Sequence, residues 1–280
     1  MAWDGDERVL RRTQSSIAVS ADGVQWAVVN ASPDIRQQIA ATPELQPFRD
    51  GSHRNSPIEA VVLTNGDVDH IAGLISLRER QPFRLYATPR VLSILEQNSI
   101  FGVLASNVVE RVPLAVGEAF EIASSGLVVE AFPVPGKVAL YLEDLSKGAS
   151  LGTEEGDTIG LKIMTPGSSP LFYIPGCAQV DESLLRRVHG AGCLLFDGTV
   201  FTDSELPDLG VGEKTGRRMG HLPITGEGGS LHVFDELGIS RRAYIHINTT
   251  NPMLEHGSEA ETIVKRAGWE IAYDGMTLSL

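Results

Sequence analysis

The sequence predicts an α+β chain in which two sheets pack face to face with helices outside. Three observations carry that prediction. Strand-like and helix-like runs alternate at both ends of the chain, and residues 110–142 read as consecutive strands. No repeat, low-complexity tract or Pro- or Ser-rich linker divides the 280 residues, so one domain spanning 1–280 is expected. The composition, 42% hydrophobic and 21% charged, is that of an ordinary packed chain.

SSIAVSADGVQWAVVN reads as a hairpin about an Asp22-Gly23 turn, because apolar residues fall near period two on both sides. ASPDIRQQIA reads as a short helix with Ser32 as N-cap and Pro33 at its first position. ATPELQPFRDGSHRNSP is a polar surface loop. IEAVVLT is a β-branched buried strand, and HIAGLISLRER has apolar residues at helical spacing. FRLYAT is a strand, and PRVLSILEQN a helix opened by Pro89. VERVPLAV, FEIASSGLVVEAFPV and VALYLEDL are strands, followed by TIGLKIMT and LFYIPG as a pair. DESLLRRVHGAG is a helix capped by Asp181, and CLLFDGTVF a strand entering a long loop, 199–227. SLHVFDELGIS is a helix, RRAYIHIN a strand, SEAETIVKRAGW a helix, and EIAYDGMTLSL a closing pair of strands.

The formal net charge of −13 argues against a nucleic-acid or membrane-surface binder, which needs a basic field. No stretch approaches the roughly 20 apolar residues of a membrane span, and the start MAWDGDERVLRRTQSS lacks the apolar core of a secretory signal. Two cysteines, Cys177 and Cys193, make no disulfide framework, so a reducing, cytoplasmic location is expected.

Chemistry concentrates in VVLTNGDVDHIAGLISL, where Asp67, Asp69 and His70 follow a buried strand. Two readings stand. The aspartates are turn formers, with Asp69 capping the next helix, or the three side chains are metal ligands on a loop that the strand holds in place. Four further places bear on the choice: the turn PVPGK with Lys137, the strand end YIPGCA with Cys177, the loop MGHLPI with His221, and the strand end AYIHINTTNP with His246. Each has a plainer reading: a solvated lysine, a small buried cysteine, a surface histidine and a hydrogen-bonded core histidine. His53, His189, His232 and His256 take the plainer reading.

The order of these elements resembles the metallo-β-lactamase superfamily. Its signature His-x-His-x-Asp-His reads here Asn65-Gly66-Asp67-Val68-Asp69-His70. Its Pro-Gly-His turn reads Pro135-Gly136-Lys137, its Gly-Asp turn Gly176-Cys177, and its last histidine matches His246. His221 resembles the extra loop histidine of the nuclease and phosphodiesterase branch. RTQSSIAVSADG, VVNASPDIRQQI, LTNGDVDHIAGLISLRE, FPVPGK, YIPGCA, LLFDGTV, GEKTGRRMGHLPITGEGGS and HINTTNPML, in order from about residue 8 to the end, resemble the pyrroloquinoline quinone (PQQ) biosynthesis protein B family. Where that family has HINNTNP, Thr249 replaces an asparagine.

The resemblance implies a metallo-β-lactamase-like αββα sandwich of two mixed sheets with outer helices. The family usually begins with an extra strand and a cysteine cluster for a structural zinc. This chain starts just after that place, so no structural zinc is expected and one sheet edge is expected to lack a partner. With Asn65, Asp67 and Lys137 in place of three histidines, the first metal position of the fold is expected to be weak, because an ammonium repels a cation. The second position keeps Asp69, His70 and His246, with Asp67 as a fourth ligand or an orienting contact. Two imidazoles and a carboxylate suit Fe(II), with Zn(II) the alternative.

The implied reaction is O2-dependent hydroxylation of the tyrosine ring in a small Glu-Tyr-derived precursor of PQQ. His221 is expected to act as acid, base or orienting group. Lys214, Arg217, Arg218 and Asn248 are expected to bind substrate, Arg forks being suited to carboxylates. Asn65, Lys137 and Cys177 are expected to line the site behind the ligands. Rival functions are a metal-dependent hydrolase of the same fold and a non-catalytic carrier or transport protein for PQQ or its precursor. Partners are expected among other PQQ biosynthesis proteins, and a homo-oligomer is left open.

Overall fold

The computed structural model describes residues 2–49, 55–122, 125–137, 139–142 and 156–280. Strands β1 (Ile17–Val19), β2 (Trp26–Val29), β3 (Ile58–Val62), β4 (Phe83–Ala87) and β5 (Val109–Pro113) form one sheet in that order. The second sheet runs β12 (Glu270–Ile271), β11 (Arg241–Ile245), β10 (Cys193–Asp197), β9 (Leu171–Ile174), β8 (Ile159–Met164), β7 (Val128–Pro133) and β6 (Ala119–Glu121). Both sheets are mixed. The pair β1–β2 is antiparallel and β2 to β5 are parallel; β9 to β12 are parallel and β6 to β9 antiparallel.

Period-two alternation sorts side chains between layers. Ala27, Val29, Ala60 and Val62 of the first sheet meet Ile159, Leu161, Leu195, Ala243 and Ile245 of the second in a central core. The alternate residues Val28, Val61 and Leu85 face outward against Ile35, Val91 and Leu95 of helices α1 (Ile35–Ala41) and α3 (Pro89–Gln97). On the other side Phe172, Leu194, Phe196 and Tyr244 pack on α4 (Glu182–Val188) and α7 (Glu259–Arg266). This is the helix–sheet–sheet–helix sandwich expected. The strands covered on both faces are the near-continuous apolar runs of the sequence. Side-chain caps set the helix starts: Thr88, Asp181 and Ser258 accept from the N–H of Val91, Leu184 and Glu261.

Several expected elements differ. Helix α1 starts at Ile35, after a turn in which Ser32 accepts the Asp34 N–H, so Ser32 is a turn former rather than the N-cap. The expected helix after His70 is α only over α2 (Val68–Ile71) and continues as a 3-10 turn, Ala72–Leu77. The Gly73 N–H explains the change, because it bonds to Ala31 O across the layer instead of to its own helix. Asp67, not Asp69, occupies the N-cap position of α2, without a side-chain cap bond. Leu140–Leu142 form a 3-10 turn where a strand was expected, and residues 138 and 143–145 of VALYLEDL lie outside the described residues, as does His53. The long loop contains α5 (Glu205–Asp208), α6 (Ser230–Val233) is shorter than its sequence pattern, and the closing pair of strands reduces to β12. Among the described residues no helix is long and apolar enough to cross a membrane.

Gly73 seats the polar loop. A Cβ there would lie 2.0 Å from Ser32 O and 2.7 Å from Ala31 O, both backbone atoms that cannot step aside. Gly73→Ala is expected to destabilise the chain by about 1–3 kcal/mol, as overpacking does, and to shift His70. Denaturant unfolding and metal titration of the variant check this.

Candidate metal centre

Three strand ends and one loop build the site. β3 leads through Leu63 and Thr64 into Asn65–His70, and Thr64 O accepts the N–H of Ile159 at the head of β8, tying the two sheets together. β10 ends on Asp197 and β11 on Ile245, side by side in register, so Asp197 and His246 emerge together. His221 comes from the long loop, which is held by Leu222 N–H donating to Cys177 O at 2.6 Å. His246 adopts φ 51, a left-handed conformation unusual for a non-glycine residue and costing on the order of 1–3 kcal/mol. Its neighbours must therefore determine its position.

Asp69, His70 and His246 converge, with one ligand atom from each within 4.8 Å of the others. Asp69 Oδ2 lies 2.8 Å from His246 Nε2 and 3.7 Å from His70 Nε2. The His70 ring is buried. Its Nδ1 lies 2.6 Å from Asn65 Oδ1, an oxygen that also accepts the Asp67 N–H at 3.0 Å. The amide oxygen only accepts, so Nδ1 carries the proton and Nε2 holds a lone pair. That Nε2 is buried and has no hydrogen-bond partner among the described residues. An orphaned buried acceptor costs about 1–3 kcal/mol, and a cation between it, Asp69 and His246 would satisfy it. The residues present therefore fit a metal ion.

A second group, Asp197, His221 and His246, is equally close, but its carboxylate is already satisfied. Asp197 is fully buried and accepts from the N–H of Cys177 (3.1 Å), the N–H and hydroxyl of Thr199 (3.1 and 2.6 Å) and His221 Nδ1 (2.7 Å). His246 Nδ1 lies 2.8 Å from Thr199 Oγ1. The rings of His221 and His246 stack with centroids 5.2 Å apart, so His221 sits beside the triad of Asp69, His70 and His246.

Electrostatics follow from this arrangement. Burial pushes the His70 imidazole down to about 4. Burial would lower His246 too, but the carboxylates of Asp197 and Asp69 outweigh it and push His246 up to about 10. Burial would raise Asp69 and Asp197; their histidine partners outweigh it and hold both well below the usual carboxylate range. Burial raises Cys177, whose thiol donates to Gln179 O at 3.1 Å, so it stays a thiol in the core and not a thiolate ligand.

The other expected residues are placed as follows. Asn65, Asp67, Lys137, Thr158, Gly220 and His221 line a small cavity of about 20 Å³, room for a water-sized ligand. Asp67 is on that wall, outside the converging triad. Arg217 folds back on its own loop, its guanidinium on Glu227 O and its N–H on Asp203, while Arg218 is exposed and Lys214 part-buried. The Asn248 side chain accepts the N–H of Thr249 and its own N–H donates to Thr199 O, so it shapes a loop. A larger cavity, about 400 Å³, lies between β5 and β6 and contains none of these residues. Sequence reasoning missed Asp197 and Thr199. The one signal was an Asp ending the apolar run CLLFD, a charge with no reason to be buried unless paired.

Two titrations follow for the metal-free protein. His70 stays neutral until about pH 4, whereas unfolded it protonates near 6.5. The unfolded chain then binds the extra proton, so this group lowers stability progressively from pH 6.5 down to 4, by on the order of 3 kcal/mol. His246 contributes stability that is complete below pH 6.5 and is lost as pH rises through about 10. Imidazole NMR titrations check both values; a His70 that titrates near 6.5 would contradict the geometry.

A family model described as a Beta-lactamase superfamily domain matches residues 25–247. Coenzyme PQQ synthesis protein B of Methylobacterium nodulans is 54% identical over 280 residues, covering 100% of this chain and 92% of the relative. The protein of that name from Xanthomonas campestris pv. campestris is 48% identical over 279 residues, covering 100% and 91%. The crystal structure of Zn(2+)-bound PqqB from Methylobacterium extorquens superimposes with a TM-score of 0.93 at 52% identity, over 100% of this chain and 91% of that one. A diphosphatase of the PhnP family shares the fold, with a TM-score of 0.67 at 20% identity. The chain belongs to the coenzyme PQQ synthesis protein B family and carries its beta-lactamase superfamily fold.

Proposed function

We propose that this chain serves PQQ biosynthesis as a mononuclear Fe(II), O2-dependent hydroxylase of the tyrosine ring in a Glu-Tyr-derived precursor. The observation that carries the metal part is the orphaned, buried His70 Nε2 facing Asp69 and His246. Two imidazoles and one carboxylate with further positions open are the ligand set of non-heme Fe(II) oxygenases. The names of the relatives support the pathway. The Zn(2+)-bound state of the Methylobacterium extorquens protein supports a site that accepts divalent cations, and this donor set also suits Zn(II).

A bound ferrous ion would supply the redox chemistry that lets dioxygen react with a phenol ring. The chain's own residues do the rest. Asn65 holds the His70 ring with Nε2 inward. His221 gives its Nδ1 proton to Asp197 in a hydrogen bond, which leaves Nε2 to take or return a proton, and its ring lines the small cavity beside Asn65 and Lys137. Asp67 on the same wall adds negative charge without entering the triad. Arg217 and Arg218 immediately precede Met219 and Gly220, which line that cavity. Arg218 and Lys214 are therefore the cations proposed to meet the substrate carboxylates, with Arg217 stiffening their loop. Asn248 acts through the loop that it shapes.

Anaerobic reconstitution with Fe(II), then oxygen and a Glu-Tyr peptide or its cyclised derivative, is expected to yield product heavier by whole oxygen atoms. Ester or phosphodiester turnover by the zinc form without oxygen, and no oxygenated product from the iron form, would instead make it a hydrolase. Asn65→Ala is expected to weaken metal binding about 10- to 100-fold by releasing the His70 ring, measured by competition with a chromophoric chelator.

A further inference from the structure

Four groups, His246, Thr199, Asp197 and His221, link the metal centre to His221, with Thr199 Oγ1 also 3.1 Å from His221 Nδ1, and their protons can be arranged in one way. Asp197 is a carboxylate and only accepts. His221 Nδ1, 2.7 Å from Oδ2, therefore carries a proton, and the Thr199 hydroxyl, 2.6 Å from Oδ1, donates its own. A hydroxyl has one proton. The alternative acceptor, His246 O at 2.9 Å, is uncharged and farther away, and the charged, shorter bond prevails. Thr199 Oγ1 then faces His246 Nδ1 at 2.8 Å with a lone pair, so that nitrogen is the donor. His246 is left with Nε2 directed at Asp69 and the His70 side.

The hydroxyl spans the gap between His246 and Asp197. His246 Nδ1 and Asp197 Oδ1 are 3.8 Å apart, too far for a direct hydrogen bond. Thr199 itself cannot drift. Its N–H donates to Asp197 Oδ1 at 3.1 Å, its carbonyl accepts the Asn248 N–H at 3.1 Å, its branched Cβ restricts χ1, and it is 7% exposed. The left-handed backbone of His246 makes such a brace necessary, since that conformation does not hold itself.

We propose that Thr199 is a positioning residue whose hydroxyl fixes the tautomer and rotamer of His246 and, through Asp197, ties the metal centre to His221. The role rests on reading Asp69, His70 and His246 as a metal centre. Thr199→Val keeps the shape and leaves the His246 Nδ1–H without an acceptor. Thr199→Ser keeps the hydroxyl.

The test uses the full chain, stripped of metal, and Co(II) as the probe. Thr199→Val is expected to bind Co(II) about 10- to 100-fold more weakly, the usual cost of losing a contact behind a histidine ligand, and with an altered visible spectrum. Thr199→Ser is expected to return both to the parent's values. Thr199→Val with the parent's affinity and spectrum would overturn the role. A parent chain that binds no Co(II) would instead overturn the metal centre, and the role with it. Long-range 1H–15N imidazole spectra of the Zn(II)-loaded parent give an answer even where Thr199→Val does not fold. Protonated Nδ1 on His246 is expected, and a lone pair there would refute the assignment.

Discussion

The site depends on one contact between the two sheets. Asp69 follows β3 of the first sheet and His246 follows β11 of the second, and their carboxylate and imidazole meet at 2.8 Å. That contact exists only if the sheets keep their spacing and register. The central apolar core sets the spacing, and the hydrogen bond from Ile159 N–H to Thr64 O sets the register where the site begins. The buried link from Asn30 of the first sheet to Thr64 and Tyr173 adds a polar tie beneath it, at 2.9 and 3.4 Å. Ligands delivered by two rigid sheets can be held to the fraction of an ångström that a metal centre requires.

Charge is balanced around that contact. Two carboxylates that stay ionised, Asp69 and Asp197, flank His246 on its two ring nitrogens, and without metal the part-buried ring is held as a cation between them. His70 is the opposite case, a neutral ring with one satisfied and one orphaned nitrogen. The proton on His246 Nε2 and a bound cation occupy the same place, so metal affinity and pH are linked. Asp197 also orients His221: its Nδ1 is committed to that carboxylate, and its ring stacks beside His246.

Much of this was legible in the sequence. The β-branched runs predicted the strands, and the buried faces alternate as period two requires. Asp69, His70 and His246 were legible from the order of the motifs and the family resemblance, because taken singly each also reads as a turn former, a cap or a hydrogen-bonded histidine. Three things were not legible. Asn65 was expected behind the site, but not its partner, His70 Nδ1 at 2.6 Å, because residues five apart in a loop give no pattern for the pair. Asp197 and Thr199 lay inside an apolar strand end, where local pattern cannot distinguish a paired carboxylate from a turn residue. The expected helix after His70 failed because a single tertiary hydrogen bond, Gly73 N–H to Ala31 O, outweighed its helical periodicity.

The proposed centre holds one cation per chain, between Asp69 and Nε2 of His70 and His246, with His221 and Lys137 outside. Anomalous diffraction from crystals of the Fe(II)-loaded chain, collected at the metal edge, tests it most directly. One anomalous peak per chain is expected, within bonding distance of those three side chains and not of His221. A second peak in the cavity lined by Asp67 and Lys137, or a single peak bonded to His221 and Asp197, would contradict it.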